Sequence, residues 1–304
     1  MPQVQIVHYK ILVTGASGQL GQALVSEFSK AYEVVGIVRK DADITDKTEI
    51  SSVINRHRPR YVLHTAAFTN VDRCEIEPVK AASVNSAGSE NVALACKSVN
   101  AKLVYFSTDY VFDGTKSRAY LETDRSNPIN VYGRSKLDGE SKCLSSWADT
   151  IIIRIGWIYS ETGSNFLKKI LAIAKRRAES AKATGEKPCL KVVTDQIGTP
   201  TCAKDIAIQT KRLIEKNVSG IYHVASSPEV SRFEFAREVL ARMLPEVIVE
   251  PCGSDEHPAK AKRPPRSSLS CEKLELENLS MMRPWKESLD EFLKLHGKQL
   301  LNEI

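Results

Sequence analysis

Short apolar runs alternate with segments of helical spacing through the first half of the chain. Lys10–Thr14 (Lys-Ile-Leu-Val-Thr) is brief and continuously apolar, which predicts a buried strand. Leu20, Ala23, Leu24 and Phe28 follow at helical intervals. Val34–Val38, Tyr61–Thr65, Lys102–Ser107 and Ile151–Ile155 predict four further strands. A long helix is predicted from about Val79 to Val99, with Val92, Ala95, Cys96 and Val99 on one face. Near-continuous apolar strands separated by helices predict a parallel sheet covered on both faces, a doubly wound α/β fold.

The second half is less regular. Helices are predicted from Asn165 to about Ala183, at Asp205–Glu215, at Phe233–Met243 and at Leu289–Leu295. Gly220–Ala225 reads as a strand and Val247–Glu250 as a short extended piece. The segment from Pro258 to Pro265 breaks regular structure. These segments predict a smaller, mixed substrate-binding lobe over the carboxyl edge of the sheet, where ligands bind in this architecture. The expected division is 10–160 plus 203–226 for a dinucleotide-binding domain, and 161–202 plus 227–304 for the lobe.

Candidate chemistry begins where the first strand ends. Gly15-Ala16-Ser17-Gly18-Gln19-Leu20-Gly21 leads directly into a helix. Glycines permit a tight turn, close backbone approach to a pyrophosphate and close helix–strand packing. The helix start then offers free N–H groups and a positive dipole end to phosphates. This strand–loop–helix context marks the fold as a Rossmann dinucleotide-binding sheet. An acid at the end of the second strand would hold the ribose 2′-hydroxyl of NAD. Here the strand ends Val38-Arg39-Lys40. Arg39 could grip a 2′-phosphate, so NADPH is expected ahead of NADH. The plainer alternative is a solvated loop arginine, and use of both coenzymes stays open.

Tyr132 and Lys136 stand at i and i+4, on one face of a helix. A cation ~4 Å from a phenol, at an effective dielectric of ~20, contributes roughly 4 kcal/mol in favour of phenolate. A phenol so placed can exchange a proton with a sugar oxygen. Ser107-Thr108-Asp109-Tyr110 ends the fourth strand, where the Thr108 hydroxyl can reach into the cleft. A turn capped by Thr108 and Asp109 is the alternative there.

These residues bring a family into view. The sequence resembles the dTDP-4-dehydrorhamnose reductases, within the extended short-chain dehydrogenases, from about Lys10 to Leu295. The resemblance rests on the glycine loop, on 66–75 (Ala-Ala-Phe-Thr-Asn-Val-Asp-Arg-Cys-Glu) and on 107–114 (Ser-Thr-Asp-Tyr-Val-Phe-Asp-Gly). It continues through 130–140, 154–159, 193–201 (Val-Thr-Asp-Gln-Ile-Gly-Thr-Pro-Thr) and 262–265 (Lys-Arg-Pro-Pro). The tyrosine and glycine motifs belong to the whole superfamily, whereas the 107–114 and 195–201 stretches are more specific. The resemblance implies reduction of the C4 ketone of a nucleotide-linked 4-keto-6-deoxyhexose, as in dTDP-L-rhamnose synthesis. It implies Tyr132 as proton donor, Lys136 as partner of the nicotinamide ribose, and Thr108 as orienter of the ketone. It places Gly15, Ser17, Gly18, Gln19, Leu20, Gly21, Arg39, Asp43, Ile44, Ala66, Ala67, Phe68 and Phe106 beside the cofactor. Asp109 and Trp157 would meet the sugar, an indole combining an apolar face with one N–H donor. Arg263 is expected at the substrate diphosphate, with a solvated loop as the alternative. The chain departs from the family pattern at Arg39, at Phe68 and at Arg266 in Arg263-Pro-Pro-Arg-Ser267.

Two other readings share these motifs. The regulatory β subunit of methionine adenosyltransferase looks like this family yet is not a reductase, because function lives in the site and not in the fold. Another extended short-chain enzyme, an epimerase or a dehydratase, is the second. A dehydratase needs an added acid–base pair beside the threonine, and Asp109 is followed by Tyr110.

Composition narrows the setting. Forty-three basic against 37 acidic residues give a formal charge of +6, a mild excess spread along the chain; a mixed solvated surface is the plainer reading and attraction to an anionic ligand such as a nucleotide diphosphate the sharper one. No basic stripe interleaves with aromatics, so no nucleic-acid module is expected. Seven cysteines at wide spacings, with no Cys-x-x-Cys, predict reduced thiols and neither a disulfide scaffold nor a metal site. Met1–Tyr9 lacks the charged and apolar regions of a signal peptide, and no run reaches the ~20 apolar residues of a membrane span. A cytoplasmic protein is expected, with a homodimer left open.

Overall fold

The computed structural model describes residues 9–304; residues 1–8, which carry most of the stretch read above for a signal peptide, lie outside the described residues. In chain order the first half runs β1 (Lys10–Thr14), α1 (Gln19–Phe28), β2 (Glu33–Ile37), α2 (Lys47–His57), β3 (Tyr61–His64), α3 (Val71–Ile76), α4 (Pro78–Ala82), α5 (Gly88–Val99), β4 (Lys102–Thr108), α6 (Val131–Ser146) and β5 (Thr150–Ile155). The second half adds β6 (Ile158–Tyr159), α7 (Phe166–Thr184), β7 (Cys189–Val193), β8 (Ile197–Gly198), β9 (Thr201–Cys202), α8 (Ala203–Glu215), β10 (Gly220–His223), β11 (Val230–Ser231), α9 (Arg232–Met243), β12 (Ile248–Cys252), α10 (Glu272–Leu276) and α11 (Trp285–Glu303).

Six parallel strands form the central sheet in the order β10-β5-β4-β3-β1-β2. The strand alternation places Ile11 and Val13 in a core with Leu24 of α1 and Ile206 of α8. Leu12, between them, points to the other face and packs with Ile54 of α2 and Val92 of α5. The doubly wound parallel fold is thus the observed one. β1 feeds β2 on one side and pairs with β3 on the other, so the chain reverses direction across the sheet at β1 and β3. A crevice opens at the carboxyl ends of these strands.

The long helix expected over 79–99 is divided. α4 and α5 are joined by a π-helical turn, Ser83–Ala87, whose extra residue per turn re-aims the buried Asn85. α2 and the parallel β7–β12 pair extend the sequence reading. A second core gathers Leu167 and Leu171 of α7, Phe235 of α9, and Trp285 and Leu289 of α11. Leu274 and Leu279, assigned above to the lobe, pack instead beside Tyr222 and Ile206 against the sheet. All seven cysteines are free. Among the described residues no helix is long and apolar enough to cross a membrane.

One buried ion pair fastens α6 to the sheet. Arg154 of β5 grips Glu140 of α6 through Nε–Oε1 at 3.0 Å and Nη2–Oε2 at 2.7 Å. Both side chains are under 5% exposed, at 4% and 3%. Removing one partner leaves an uncompensated buried charge. Glu140→Ala is therefore expected to cost about 3–5 kcal/mol of unfolding free energy in denaturant titration. Glu140→Leu combined with Arg154→Met should lose much less. A loss below about 1 kcal/mol in the single variant would place the pair among surface-like contacts.

Candidate active site

Each functional side chain arrives from a strand end or the helix start beside it. After β1, Gly15 takes φ +67°, and a Cβ there would stand 2.7 Å from the Ala66 nitrogen. Only glycine meets both conditions. The turn therefore lies against the backbone leaving β3, and α1 begins at the crevice. The first turn of α1 has no side-chain cap and no acidic residue. Its positive dipole end thus faces the cavity uncompensated, a fit to a pyrophosphate. The Gln19 side chain turns toward the segment between β6 and α7, donating to Ser164 O and accepting from Asn165 Nδ2.

β4 delivers the next group. All seven of its residues are buried, and Thr108 ends the strand. Thr108 Oγ1 donates to Asp109 Oδ1 at 3.0 Å, and Ser267 Oγ donates to Asp109 Oδ2. Burial pushes the Asp109 carboxyl up to about 6 against the opposing pull of Ser267, Thr108 and the Arg232 charge.

α6 presents Tyr132 and Lys136. Asn130 caps the helix through Gly133 N, and its amide donates to Lys262 O at 2.9 Å. The start of α6 is thereby fixed to the segment before Arg263. Tyr110 packs edge-on against Tyr132, with ring centroids 6.1 Å apart. Burial raises the Tyr132 phenol well above its ordinary pKa; the Thr108 hydroxyl opposes this and the Asp109 charge adds to it. The field of Lys136 was expected to favour phenolate. Instead the Lys136 ammonium donates to Phe106 O at 2.7 Å and rests 4.0 Å from the Tyr105 ring centroid. Burial lowers Lys136 to about 8. Desolvation thus outweighs the cation, and the phenol stays protonated, the form that can donate.

These groups line one cavity of about 590 Å³. Its wall brings together Gly15, Ser17, Gly18, Gln19, Leu20, Gly21, Arg39, Asp43, Ile44, Ala66, Ala67, Phe68, Phe106, Thr108, Asp109, Tyr132, Lys136 and Trp157. Arg39 is exposed at the rim, where its Nε and Nη2 both lie 2.9 Å from Asp43 Oδ2. Phe68 is held by Asn85, which accepts from Phe68 N at 2.7 Å and donates to Ser135 Oγ on α6. Trp157 follows β5 with φ +46°, a strained conformation for a bulky residue.

Arg263 does not line the cavity. Asp72 takes its fork in two parallel bonds, Nη1–Oδ1 and Nη2–Oδ2, each 2.8 Å. That pairing holds the Asp72 carboxyl down at about 2. Asn85 and Arg232 were not singled out from the sequence. Asn85 sits inside a helical pattern, and Arg232 is the first residue of α9, so neither carries a local motif. Among the described residues no cluster of three or more His, Cys, Asp or Glu side chains is placed to hold a metal.

Known proteins share this arrangement. The family model for the RmlD substrate binding domain matches residues 9–297. The spore coat polysaccharide biosynthesis protein SpsK of Bacillus subtilis is 37% identical over 286 residues, covering 94% of this chain and 97% of the relative. The dTDP-4-dehydrorhamnose reductase of Sinorhizobium fredii is 35% identical over 293 residues, covering 92% and 95%. The crystal structure of dTDP-4-dehydrorhamnose reductase from Bacillus anthracis, in complex with NADP, aligns with a TM-score of 0.89 at 35% identity, covering 94% of this chain and 99% of that one. A match along nearly the whole length, in sequence and in fold, means that the chain belongs to the RmlD family, the family of the dTDP-4-dehydrorhamnose reductases.

Proposed function

We propose that this chain reduces the C4 ketone of a nucleotide-linked 4-keto-6-deoxyhexose, dTDP-4-dehydrorhamnose being the favoured substrate, with NADPH as the reductant. The observation that carries the reading is the convergence, in one cavity, of an uncapped helix start behind Gly15 with Thr108, Tyr132 and Lys136. NADPH, when bound, supplies a hydride to C4. Thr108 orients the ketone oxygen by hydrogen bonding. Tyr132, kept neutral by burial, gives its proton to that oxygen as the C=O bond becomes C–O. Lys136 holds the nicotinamide ribose and supplies positive charge beside the phenol. Asp109 and Trp157 meet the sugar, while Ala66, Ala67 and Phe68 flank the coenzyme. The division into a dinucleotide-binding domain and a substrate lobe belongs to the same proposal, with the 269–282 segment moved to the sheet side.

Tyr132→Phe removes the donor and leaves the ring in place. Turnover of dTDP-4-dehydrorhamnose should fall at least about 100-fold while NADPH binding survives. Near-normal turnover would remove Tyr132 from the reaction.

Arg39 supports the coenzyme assignment from the rim. Arg39→Ala should weaken NADPH more than NADH, measured as the ratio of their KM values. An equal change for both would mean that Arg39 does not read the 2′-phosphate.

The pH dependence follows from Lys136. Its pKa is lowered to about 8, so the ammonium is present below that pH and lost above it. kcat/KM should decline as pH rises through about 8, and Lys136→Arg should move that limb upward. A profile that stays flat to about pH 9.5 would dissociate the Lys136 charge from turnover.

A further inference from the structure

The strand order spreads the site along one line. Arg39 lies just beyond β2, the glycine turn follows β1, Thr108 ends β4 and Trp157 lies just beyond β5. β2 and β5 are four strand spacings apart, about 19 Å at ~4.8 Å each. The coenzyme reading uses the β2-to-β4 part of that line. The β5 end remains for the rest of the substrate.

At that end the wall carries a guanidinium that no carboxylate neutralises. Arg232 opens α9, within the Ser231–Glu234 capping box, and lines the cavity. Its Cζ lies 3.5 Å from the Trp157 ring centroid and 4.7 Å from that of Phe166. Stacking on rings uses the faces of a guanidinium and leaves its N–H edges for hydrogen bonds, one of which goes to the Tyr110 hydroxyl. The neighbouring cations differ. Arg263 is paired with Asp72, Arg266 with Glu229, Arg39 with Asp43 and Lys80 with Glu77. Among the described residues Arg232 has no carboxylate within 4.0 Å. Asp109, whose charge it feels, has its two oxygens engaged by Thr108 and Ser267.

The backbone is shaped to keep this arrangement. Trp157 takes its strained φ, and Gly198 passes so close that a Cβ would stand 2.2 Å from the indole Cε2. A side chain at 198 would displace the indole on which Arg232 rests. An oriented, unneutralised guanidinium in a cavity wall is a receptor for an anion.

We propose that Arg232 anchors the diphosphate of the nucleotide sugar, in the place that the sequence reading gave to Arg263. The inference rests on the reductase reading above. With C4 at Tyr132 and Thr108, the C1 diphosphate leaves from the opposite side of the sugar ring, which can reach the β5 end. Arginine's planar fork suits two phosphate oxygens, and lysine's point charge matches only part of it.

Calorimetric titration of dTDP and of NADP into the wild-type chain, Arg232→Met and Arg232→Lys tests this. Methionine keeps an apolar stem against the rings and loses the fork. Arg232→Met should weaken dTDP about tenfold or more, Arg232→Lys less, and NADP should bind each variant alike. The KM for dTDP-4-dehydrorhamnose should rise in the same order. A dTDP affinity within about threefold of wild type in Arg232→Met, with wild-type turnover intact, overturns the Arg232 assignment alone. Equal weakening of dTDP and NADP marks Arg232 as packing and also overturns it. A wild-type chain that neither binds dTDP nor turns over the ketone overturns the reductase reading and this inference with it.

Discussion

The structure turns on one close approach. Where β1 bends into α1, Gly15 lies against the backbone that leaves β3, with no room for a side chain between them. That contact sits where the chain reverses direction across the sheet, so it defines the crevice as well as the turn. It sets the uncapped start of α1 over the strand ends. The loop after β3 is held in turn by Asn85, which also reaches Ser135 on α6. α6 is fastened below by the Glu140–Arg154 pair and above by the Asn130 amide on Lys262 O. The tyrosine is therefore placed by a chain of contacts that begins at a glycine.

Inside the cavity, desolvation decides the protonation states. It holds Tyr132 neutral, lowers Lys136 and raises Asp109. The simple electrostatic picture, in which a lysine four residues on drives a tyrosine toward phenolate, counts one Coulomb interaction and omits burial. With burial included, the ammonium settles on the Phe106 carbonyl and the phenol keeps its proton. For a reductase this ordering is the useful one, because the reaction ends by protonating an oxyanion.

Much of this was legible in the chain. The five strands of the first half and the glycine turn follow from local pattern, and the strand ends shift by one residue at most. Tyr132, Lys136 and Thr108 carry short motifs and line one cavity, although the Lys136 ammonium turns to the Phe106 carbonyl. What stayed hidden depends on distant pairing. Asp72 and Arg263 are 191 positions apart, so nothing near Arg263 announces that its fork is taken. Arg232 looks like an ordinary helix-start cation until Trp157 and Phe166 are seen against it. The π-helical turn at Ser83–Ala87 interrupts a helical pattern whose apolar face on α5 is intact, and no residue type marks it. Leu274 and Leu279 follow a break-rich segment, yet they return to the sheet because its face there still needs apolar cover.

The central claim is hydride delivery to a sugar C4 carbon within this cavity. It is tested most directly by incubating the purified chain with dTDP-4-dehydrorhamnose and NADPH deuterated at the nicotinamide C4, then reading the product by mass spectrometry and NMR. One carbon-bound deuterium is expected at sugar C4, gained as the coenzyme is oxidised, with the hydroxyl proton drawn from solvent. A sugar nucleotide recovered unlabelled and unreduced, with the coenzyme intact, would contradict it.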